Sequence, residues 1–386
     1  QTYVSVGAVN ARGIIQNNDL DRYNFSVRNT TSMLNDKLTM DLSFMYSNVK
    51  EQNMLSQGEY ANPLVPVYLF PRGDDFSKYQ YYERYDVDRN IKTQFWPLKE
   101  NGLSMQNPYW ITNRNMYTNK KDRFLASGSL KYTITDWLNV SGRVKLDKET
   151  INSEKKMYAS TLNVIAENSD KGAYVQSNKN TSQIYADAML NINKYFYHDT
   201  WNLTASLGAS LLDLDYKELN FGGGLLTIPN LFTSNNANVS GKLTYKNTNY
   251  HDRTNSLFGT FSLGYKGMVY VDGSLRNDWI SALAGTNHSS ILYPSIGASA
   301  ILTNMFTMKS NILSYAKVRL SYSEVGNAPE RFRAITTYAV LGGLNTTSYF
   351  PIKDLKPERT HSWEGGFNLG LFDNKLTLDV TAYKTY

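Results

Sequence analysis

The chain has 386 residues, a net charge of +6 and no cysteine, and aromatic residues make up 13% of it. The lack of cysteine excludes disulfide scaffolds, cysteine metal sites and thiol nucleophiles. The lysines and arginines are dispersed instead of forming a stripe, which argues against binding to nucleic acid. No run approaches the ~20 consecutive apolar residues of a transmembrane helix, so a helical membrane protein is excluded.

Tyrosine is unusually abundant, with 29 residues, while the mean hydropathy of the chain is -0.45. A soluble core is built mainly from Leu, Ile and Val, whereas Tyr suits a boundary where a ring meets an apolar phase at one end and water at the other. The strands of a membrane barrel alternate lipid-facing with lumen-facing residues, so their average hydropathy stays polar. The composition is therefore compatible with a transmembrane β-barrel.

Alternation of apolar and polar residues with a period of two is the dominant pattern along the chain. It is clear from Leu38 to Tyr46, and it recurs from Leu138 to Leu146, where Arg143 and Lys145 fall on the polar face. About thirteen such segments are present, and most have the ~9–13 residues of a tilted membrane-crossing strand. The predicted strands are 2–9, 22–31, 37–48, 122–134, 137–149, 181–193, 201–213, 256–265, 267–276, 292–301, 313–322, 361–370 and 375–386.

The connections between these strands alternate between short and long. Short links are predicted at 32–36, 135–136, 194–200, around 266, and at 302–312 and 371–374. Long links are predicted at 10–21, 49–121, 150–180, 214–255, 277–291 and 323–360. The contrast is weakest at 302–312. Brief turns at one end and extended loops at the other are typical of an outer-membrane barrel, whose long loops are extracellular. A soluble β-sandwich or β-solenoid has no reason to separate loop lengths in this way.

A short polar motif is repeated at the start of several strands. Asn35-Asp36-Lys37 precedes one alternating segment, Asp373-Asn374-Lys375 precedes another, and Asp136-Trp137 precedes a looser third copy. Asn and Asp tolerate the positive φ angles that a tight hairpin needs. The repeat therefore predicts hairpin turns. Trp137, Trp201 and the segment 195–197 lie beside predicted short links and predict an aromatic belt at the membrane boundary, with ordinary strand-end packing as the alternative.

Catalytic and metal-binding constellations are not recognisable in the sequence. Of the four histidines, only His361 has a carboxylate at ligand spacing, in Glu364, and a strand would place these two on opposite faces. The triplet Gly222 to Gly224 lacks the Lys and Ser or Thr of a phosphate loop. We therefore expect no enzyme activity, no metal and no cofactor.

Five stretches together resemble the SusC/RagA family, the TonB-dependent outer-membrane transporters of the Bacteroidetes. They are 61–73 (ANPLVPVYLFPRG), 107–110 (NPYW), 293–299 (YPSIGAS), 321–327 (SYSEVGN) and 355–374 (LKPERTHSWEGGFNLGLFDN). The stretch that begins at Leu355 is the most specific of them, and their order along the chain matches the family. The resemblance extends over the whole chain.

The resemblance implies an all-β fold, a transmembrane antiparallel β-barrel of 22 strands in the Gram-negative outer membrane. It also implies a plug domain, a TonB-interacting segment and a SusD-like surface lipoprotein that closes over the barrel. No plug or TonB segment is recognised here, so residues 1–386 are expected to form a partial barrel of about thirteen strands, with long extracellular loops at 49–121, 150–180, 214–255 and 323–360. Expected partners are the lipoprotein, TonB through a segment outside this chain, outer-membrane lipid and lipopolysaccharide, a glycan or peptide substrate, and a second transporter-lipoprotein pair.

Aromatic residues in the longest predicted link are the candidate contact site. They are Tyr68, Phe70, Tyr79, Tyr81, Trp96, Tyr109 and Trp110. Flat rings can stack on sugars or cover a partner protein. The alternative is that they pack the loop against itself or against the lipoprotein.

The resemblance implies TonB-dependent import of oligosaccharides or oligopeptides. The alternatives are a passive porin, a siderophore or cobalamin receptor of the same architecture, and a structural or adhesive role for the large loops.

Overall fold

The computed structural model describes residues 1–54, 58–96, 98, 106–238, 245–306, 312–335, 338–340, 344–346, 352 and 354–386. Strands dominate this part of the chain. They are β1 (Thr2–Arg12), β2 (Asp19–Met33), β3 (Leu38–Gln52), β4 (Glu83–Asp86), β5 (Ile91–Gln94), β6 (Asn115–Thr135), β7 (Leu138–Tyr158), β8 (Gly172–Phe196), β9 (Trp201–Gly224), β10 (Tyr245–Tyr265), β11 (Val269–Ile280), β12 (Ser290–Ile301), β13 (Leu313–Asn327), β14 (Tyr338–Val340), β15 (Leu344–Thr346), β16 (Glu358–Leu371) and β17 (Leu376–Thr385).

The helices are short. They are α1 (Leu64–Tyr68), α2 (Pro108–Arg114) and α3 (Leu302–Met305), and single 3₁₀ turns lie at Phe76–Gln80, Ser234–Asn236 and Ser281–Leu283. Within the described ranges, no helix is long and apolar enough to cross a membrane.

Thirteen strands form one antiparallel sheet in the order β1-β2-β3-β6-β7-β8-β9-β10-β11-β12-β13-β16-β17. The order follows the chain, because each strand pairs with the next one of the sheet. The hairpins β4-β5 and β14-β15 stand apart from it. All thirteen predicted strands are found in the predicted order, and the prediction of an all-β antiparallel barrel wall is confirmed.

The register gives the sheet one apolar face and one polar face. Val4, Val27, Phe44, Ala126, Leu146 and Ile184 are successive cross-strand partners from β1 to β8. The adjacent row contains Ser43, Ser127 and Lys145. We call the first surface the outer face and the second the inner face. No second sheet packs on the outer face in the described part of the chain, so its apolar side chains are exposed, as a lipid-facing surface requires.

Three hairpin turns share an unusual backbone. Residues 34–36, 197–199 and 372–374 all have positive φ, between 54° and 63°. In each turn the fourth residue donates its backbone N–H to the first, as Lys37 does to Leu34 at 3.3 Å. The predicted similarity of the two Asn/Asp turns is therefore confirmed. The turn at Asp136-Trp137 is shorter and differs from them, with a bulge between Thr133 and Thr135.

Aromatic residues mark the short-turn end of the outer face. Phe196, Trp201 and Tyr265 lie in one row, and the rings of Trp201 and Tyr265 are 4.7 Å apart between centroids. Lys194 Nζ lies 4.4 Å from the ring of Trp137. Tyr195 belongs to the inner face, because it pairs with Asn202. The belt prediction therefore includes one residue on the wrong face.

The predicted loop boundaries are wrong, because strands continue into all four long links. The observed connections are 53–114, 159–171, 225–244 and 328–357. The added strand segments are polar on both faces. Asn178 donates to Asn152 at 2.5 Å on one face, and Ser153 donates to Asn119 at 2.5 Å on the other. Above the lipid both faces meet water, so these segments show no hydrophobic period.

Loop lengths follow the predicted asymmetry, with short links at one end of the sheet and long links at the other, except at the link 302–312. All the long connections named above lie at one end of the sheet. At this end the links 13–18 and 281–289 are nevertheless shorter than the link 302–312 at the opposite end, which contains α3.

Candidate functional site in the inner wall and the loop cluster

The inner face is lined with ion pairs between arginines and carboxylates. The pairs are Arg28–Asp41 at 2.9 Å, Arg123–Asp147 at 2.5 Å, Arg143–Asp187 at 2.6 Å, Arg276–Asp278 at 2.7 Å and Arg319–Asp379 at 2.8 Å. The predicted inner-face position of Arg143 is confirmed. Its partner Asp187 was not predicted, because pairing requires the register between β7 and β8. Fixed charges of both signs make this wall polar and hydrated.

At the opposite end from the short turns, three connections pack into what we call the loop cluster, which comprises residues 53–54, 58–96, 98, 106–114, 159–171 and 225–238. Two buried amides stabilise them, Asn107 within the first connection and Gln106 between the first and the second. Asn107 donates to the carbonyl oxygens of Tyr79 at 2.8 Å and Phe95 at 3.1 Å, and its Oδ1 accepts from Tyr109 N at 2.9 Å, which caps helix α2. Because each end of the amide is satisfied, burial is not penalised.

Gln106 is a second buried amide, and it joins two of the connections. Its Nε2 donates to the carbonyl of Tyr60 at 2.7 Å, and its Oε1 accepts from the backbone of Leu162 at 3.1 Å. Ala159 N donates to Asn230 Oδ1 at 2.7 Å and extends the network to the third connection. The cluster is therefore held together by specific polar contacts across long sequence separations.

Trp110 lies at the centre of the loop cluster with 0% of its surface exposed. Its Nε1 donates to Thr161 Oγ1 at 3.0 Å, and Thr161 Oγ1 donates to Asn115 Oδ1 at 2.8 Å. This relay connects helix α2, the second loop and the start of β6. Trp110 thus supports the loop's own fold, as the alternative interpretation held.

The other predicted aromatic residues divide into a packed group and an exposed group. Phe70, Tyr79 and Trp96 pack together, with Phe70 and Tyr79 centroids 5.3 Å apart and Tyr79 and Trp96 centroids 5.4 Å apart. Tyr109 joins this group through Phe76, at 5.8 Å. In contrast, 84% of Tyr68 and 65% of Tyr81 are exposed. The structure therefore leaves Tyr68 and Tyr81 free to contact another molecule.

Two carboxylates stabilise the same loops. Glu83 accepts from Lys92 at 2.6 Å and from Arg114 at 2.6 Å, which joins the hairpin β4-β5 to helix α2. Burial by itself would raise the pKa of Glu83, but the hydrogen bonds from Lys92 and Arg114 outweigh it and hold the pKa below its ordinary value. Asp74 accepts from Tyr79 at 2.6 Å, and this hydrogen bond lowers the pKa of Asp74.

A cavity of about 420 Å³ lies where helix α2 meets the inner wall. Its lining includes Ile15, Met54, Ile111, Lys155 and Met157. Lys155 and Met157 belong to the inner face, because they continue the alternation of Arg143 along β7. Sequence reasoning missed this site, because its lining comes from five separated segments and lacks a motif.

Three of the four histidines pair with single carboxylates, among them His288 with Asp354 at 3.0 Å. His361 Nδ1 lies 3.4 Å from Glu324 Oε1, while Glu364 is on the opposite face of β16, as predicted from the alternation. His251 pairs with Asp213 at 2.8 Å. Across the described residues, no group of three or more His, Asp or Glu side chains is arranged to hold a metal ion.

Comparisons with known proteins agree with this geometry. Residues 65–386 match the family model described as TonB dependent receptor-like, beta-barrel. Curated protein sequences give no match.

Among solved structures, the chain is similar to the RagAB peptide transporter, with a TM-score of 0.74 and 17% identity over 100% of this chain and 42% of that chain. It is also similar to the ferric-catecholate import receptor Fiu from K12 E. coli, with a TM-score of 0.56, 11% identity, and coverage of 100% of this chain and 54% of that one. FpvA of P. aeruginosa gives a TM-score of 0.56, 12% identity, and coverage of 100% and 44%.

The chain thus spans about half the length, or less, of the structures that it resembles. At these identities the similarity shows the fold. Proteins of this family are non-enzymatic and reside in the outer membrane, which supports the predicted location and the prediction that the chain is not an enzyme. With 322 matched residues from 65 to 386, the chain belongs to the family of TonB-dependent receptor-like β-barrels.

Proposed function

We propose that this chain forms wall and loops of a TonB-dependent importer of oligopeptides or oligosaccharides. The observation that carries the proposal is the pairing of an apolar outer face with an inner face of fixed ion pairs, beneath a cluster of interlocked loops. A wall of this kind separates lipid from a hydrated passage. The substrate is carried through the passage, and no bond in the substrate is made or broken.

We place the protein in the SusC/RagA group, with a SusD-like lipoprotein as partner and TonB as the source of energy. The family motifs in the sequence and the similarity to the RagAB peptide transporter support this placement. The loop cluster, held by hydrogen bonds between its connections, offers a surface for a closing lipoprotein. A dimer of transporter-lipoprotein pairs and contact with lipopolysaccharide belong to the same proposal.

Between the two substrate classes we favour oligopeptides, on the character of one cavity at the mouth of the barrel. The cavity below helix α2 combines apolar side chains, among them Met54, Ile111 and Met157, with the amides of Gln16, Asn53 and Asn115 and with Lys155. Methionines adapt to varied apolar groups, and amide side chains can form hydrogen bonds with a peptide backbone. The cavity therefore suits an apolar side chain of a peptide, and Lys155 is placed to bind a carboxylate of that peptide.

Uptake by cells that carry the full-length protein tests the proposal. Cells are given a labelled peptide library and, separately, labelled oligosaccharides, with and without functional TonB. We expect TonB-dependent accumulation of one of these classes. Uptake that persists without TonB indicates a porin, and binding without uptake indicates an adhesin. Either result overturns the proposal.

A siderophore receptor is the second candidate, because Fiu and FpvA share the fold of this wall. The same assay with labelled ferric siderophores separates the candidates. Accumulation of iron without uptake of peptides or glycans would replace the proposed substrate class.

The exposed rings of Tyr68 and Tyr81 are the contact residues that we favour within the predicted aromatic set. Replacing both with alanine is expected to weaken the binding of substrate or lipoprotein at least ~10-fold, as for anchoring aromatic residues at interfaces. The double variant Tyr109→Ala/Trp110→Ala is expected to act by loosening the loops, and so to alter proteolysis as well. Unchanged binding in the Tyr68/Tyr81 variant would dismiss the contact role.

A further inference from the structure

Two tyrosines on the inner face form a stacked pair outside the cavity below helix α2. Tyr216 on β9 and Tyr250 on β10 are direct cross-strand partners, and their rings are 4.5 Å apart between centroids at an interplanar angle of 11°. Both lie in the strand extensions above the lipid, and both are half-buried. The Tyr216 hydroxyl donates to Glu218 Oε2 at 2.8 Å, which orients its ring. The pair therefore presents aromatic surface to the hydrated passage.

An arginine from a distant segment occupies this pair. Arg331 belongs to the segment 328–335 that follows β13, and its Cζ lies 3.7 Å from the ring centroid of Tyr250. Its Nε donates to Asp252 Oδ2 at 2.6 Å, and its Nη2 contacts the same oxygen. Asp252 lies two residues from Tyr250 on the inner face of β10, so the ring and the carboxylate flank one position. A ring face beside a carboxylate is a site for a guanidinium group.

Arg331 satisfies this site only in part. Both of its contacting nitrogens lie against Oδ2 of Asp252, and Oδ1 accepts from no donor in the part of the chain that the structure describes. A guanidinium in the fork geometry donates to both oxygens of a carboxylate, and the second hydrogen bond adds strength and direction. The site therefore has a hydrogen-bond acceptor to offer that Arg331 leaves unused.

Backbone strain next to Arg331 favours its release. The following residue, Phe332, has φ 64°, a conformation that a bulky side chain rarely adopts. Phe332 is 47% exposed, and 40% of the Arg331 side chain is exposed. When Arg331 leaves Asp252, Phe332 can return to an ordinary conformation at little cost in packing. A competing guanidinium is therefore opposed only by the contacts of Arg331 itself.

We propose that Tyr216, Tyr250 and Asp252 form a subsite for the side chain of an arginine residue in the transported peptide, and that Arg331 fills this subsite until the peptide displaces it. The assignment rests on the proposed import of peptides. The planar guanidinium stacks on Tyr250 and donates to both oxygens of Asp252, whereas a lysine ammonium lacks the planar fork. Citrulline has nearly the same shape and lacks the charge. The subsite thus selects arginine over both.

Binding of matched peptides to the purified full-length protein, with any lipoprotein that co-purifies, tests the subsite. Three fluorescently labelled peptides differ at one central position, which holds arginine, lysine or citrulline. We expect the arginine peptide to bind at least about tenfold more tightly than the other two. Equal binding of the three peptides overturns the subsite.

The variant Arg331→Ala tests whether the resident arginine competes. It empties the subsite and is expected to strengthen binding of the arginine peptide at least about threefold, with the citrulline peptide unchanged. Arg333→Ala is the matched control, because it removes an arginine of the same segment that pairs with Glu330. Unchanged affinity in the Arg331 variant, or an equal gain for all three peptides, shows that Arg331 only ties its segment to the wall and overturns the competition.

The carboxylate is tested in the emptied subsite. In Arg331→Ala/Asp252→Asn we expect the gain to disappear, together with the preference for arginine over citrulline. Arg331→Ala/Asp272→Asn removes an inner-face carboxylate from the neighbouring strand β11 and should keep both. Heat-modifiable gel migration verifies that each variant folds. A preference for arginine that survives Asp252→Asn contradicts the assignment.

The probe Nα-acetyl-arginine amide separates failure of the subsite from failure of the proposed function. We expect the amide to bind to the Arg331→Ala variant and to lose this binding with Asp252→Asn. Cellular uptake of peptides regardless of arginine, without binding of the amide, overturns the subsite alone. Binding of the amide without uptake of any peptide overturns the proposed import, and with it a peptide as the ligand.

Discussion

Arg143 and Asp187 face each other across β7 and β8 on the inner wall, with Arg143 Nη2 2.6 Å from Asp187 Oδ2. Only 4% of the Asp187 side chain is exposed, whereas 42% of the Arg143 side chain is. The carboxylate is therefore the buried member of the pair, and the guanidinium neutralises it from the side of the lumen. This arrangement stabilises the pairing of two of the longest strands in the sheet.

Removing the charge of Asp187 is expected to weaken the barrel. Asp187→Asn leaves the Arg143 guanidinium without its ionic partner and should lower the free energy of unfolding by about 1–2 kcal/mol, since Arg143 is partly solvated. Urea unfolding of the full-length barrel in lipid vesicles measures the change. The control Asp272→Asn removes an exposed inner-face carboxylate for which the described chain provides no ion pair, and it should change stability by less than about 0.5 kcal/mol. Equal effects would show that the pair contributes nothing.

The hydrogen bond between Trp110 and Thr161 should control how tightly two loops are joined. Trp110→Phe removes the donor and leaves Thr161 Oγ1 without it, so the local free energy of opening should fall by about 1–3 kcal/mol. Hydrogen exchange of residues 159–171 measures this opening. Tyr68→Ala, on an exposed ring, should leave that exchange unchanged. Unaltered protection in the Trp110 variant would mean that the loops are held elsewhere.

The salt bridge of Glu83 gives the loop cluster an acid-sensitive contact. The pKa of Glu83 is held below its ordinary value of 4.5 in the folded loop. A lowered folded-state pKa means that its stabilisation is present above pH 4.5 and is lost as the pH falls through the folded-state pKa. Hydrogen exchange of the hairpin β4-β5, corrected for intrinsic rates, should accelerate in that range.

The variant Glu83→Gln supplies the control for this titration. It should open the hairpin to a constant extent between pH 7 and 3, because no carboxylate remains to be protonated. An acid-induced opening that persists in the variant would assign the effect to another group.

The four-residue turn at 34–37 should depend on residues that accept positive φ. Asn35 has φ 54° and Asp36 has φ 63°. Alanine at either position should cost about 1 kcal/mol, whereas Asn35→Gly should be nearly neutral. The unfolding midpoint in urea measures both. Lys37→Ala, outside the positive-φ region, is the control, and an equal cost there would rule out backbone strain as the cause.

Strand positions were predictable because the membrane imposes a strict period of two. The strand segments 38–46 and 138–146 face lipid on one side and water on the other. Their residues therefore alternate between apolar and polar types. The same reasoning failed at Asn152 and Asn178, where both faces meet water and strand and loop have the same composition. Hydrophobic patterning therefore locates the membrane zone and underestimates the length of the strands.

The contact site was less predictable than the wall. Trp110 and Thr161 are 51 residues apart, and only the fold of both loops brings them together. Aromatic content alone could not separate Trp110, which is buried, from Tyr68, which is exposed. Lys155 and Met157 carry no motif, and their place in a cavity follows from the packing of helix α2 against the wall.

The central claim is that alternate residues of each strand face lipid and water, and site-directed spin labelling measures this directly. The chain has no cysteine, so single cysteines introduced from 203 to 211 on β9 of the full-length protein can be labelled one at a time. In lipid bilayers, we predict high collision rates with oxygen at the odd positions and with a water-soluble nickel complex at the even positions. Collision rates with no alternation, or nickel access at the apolar odd positions, would contradict the account.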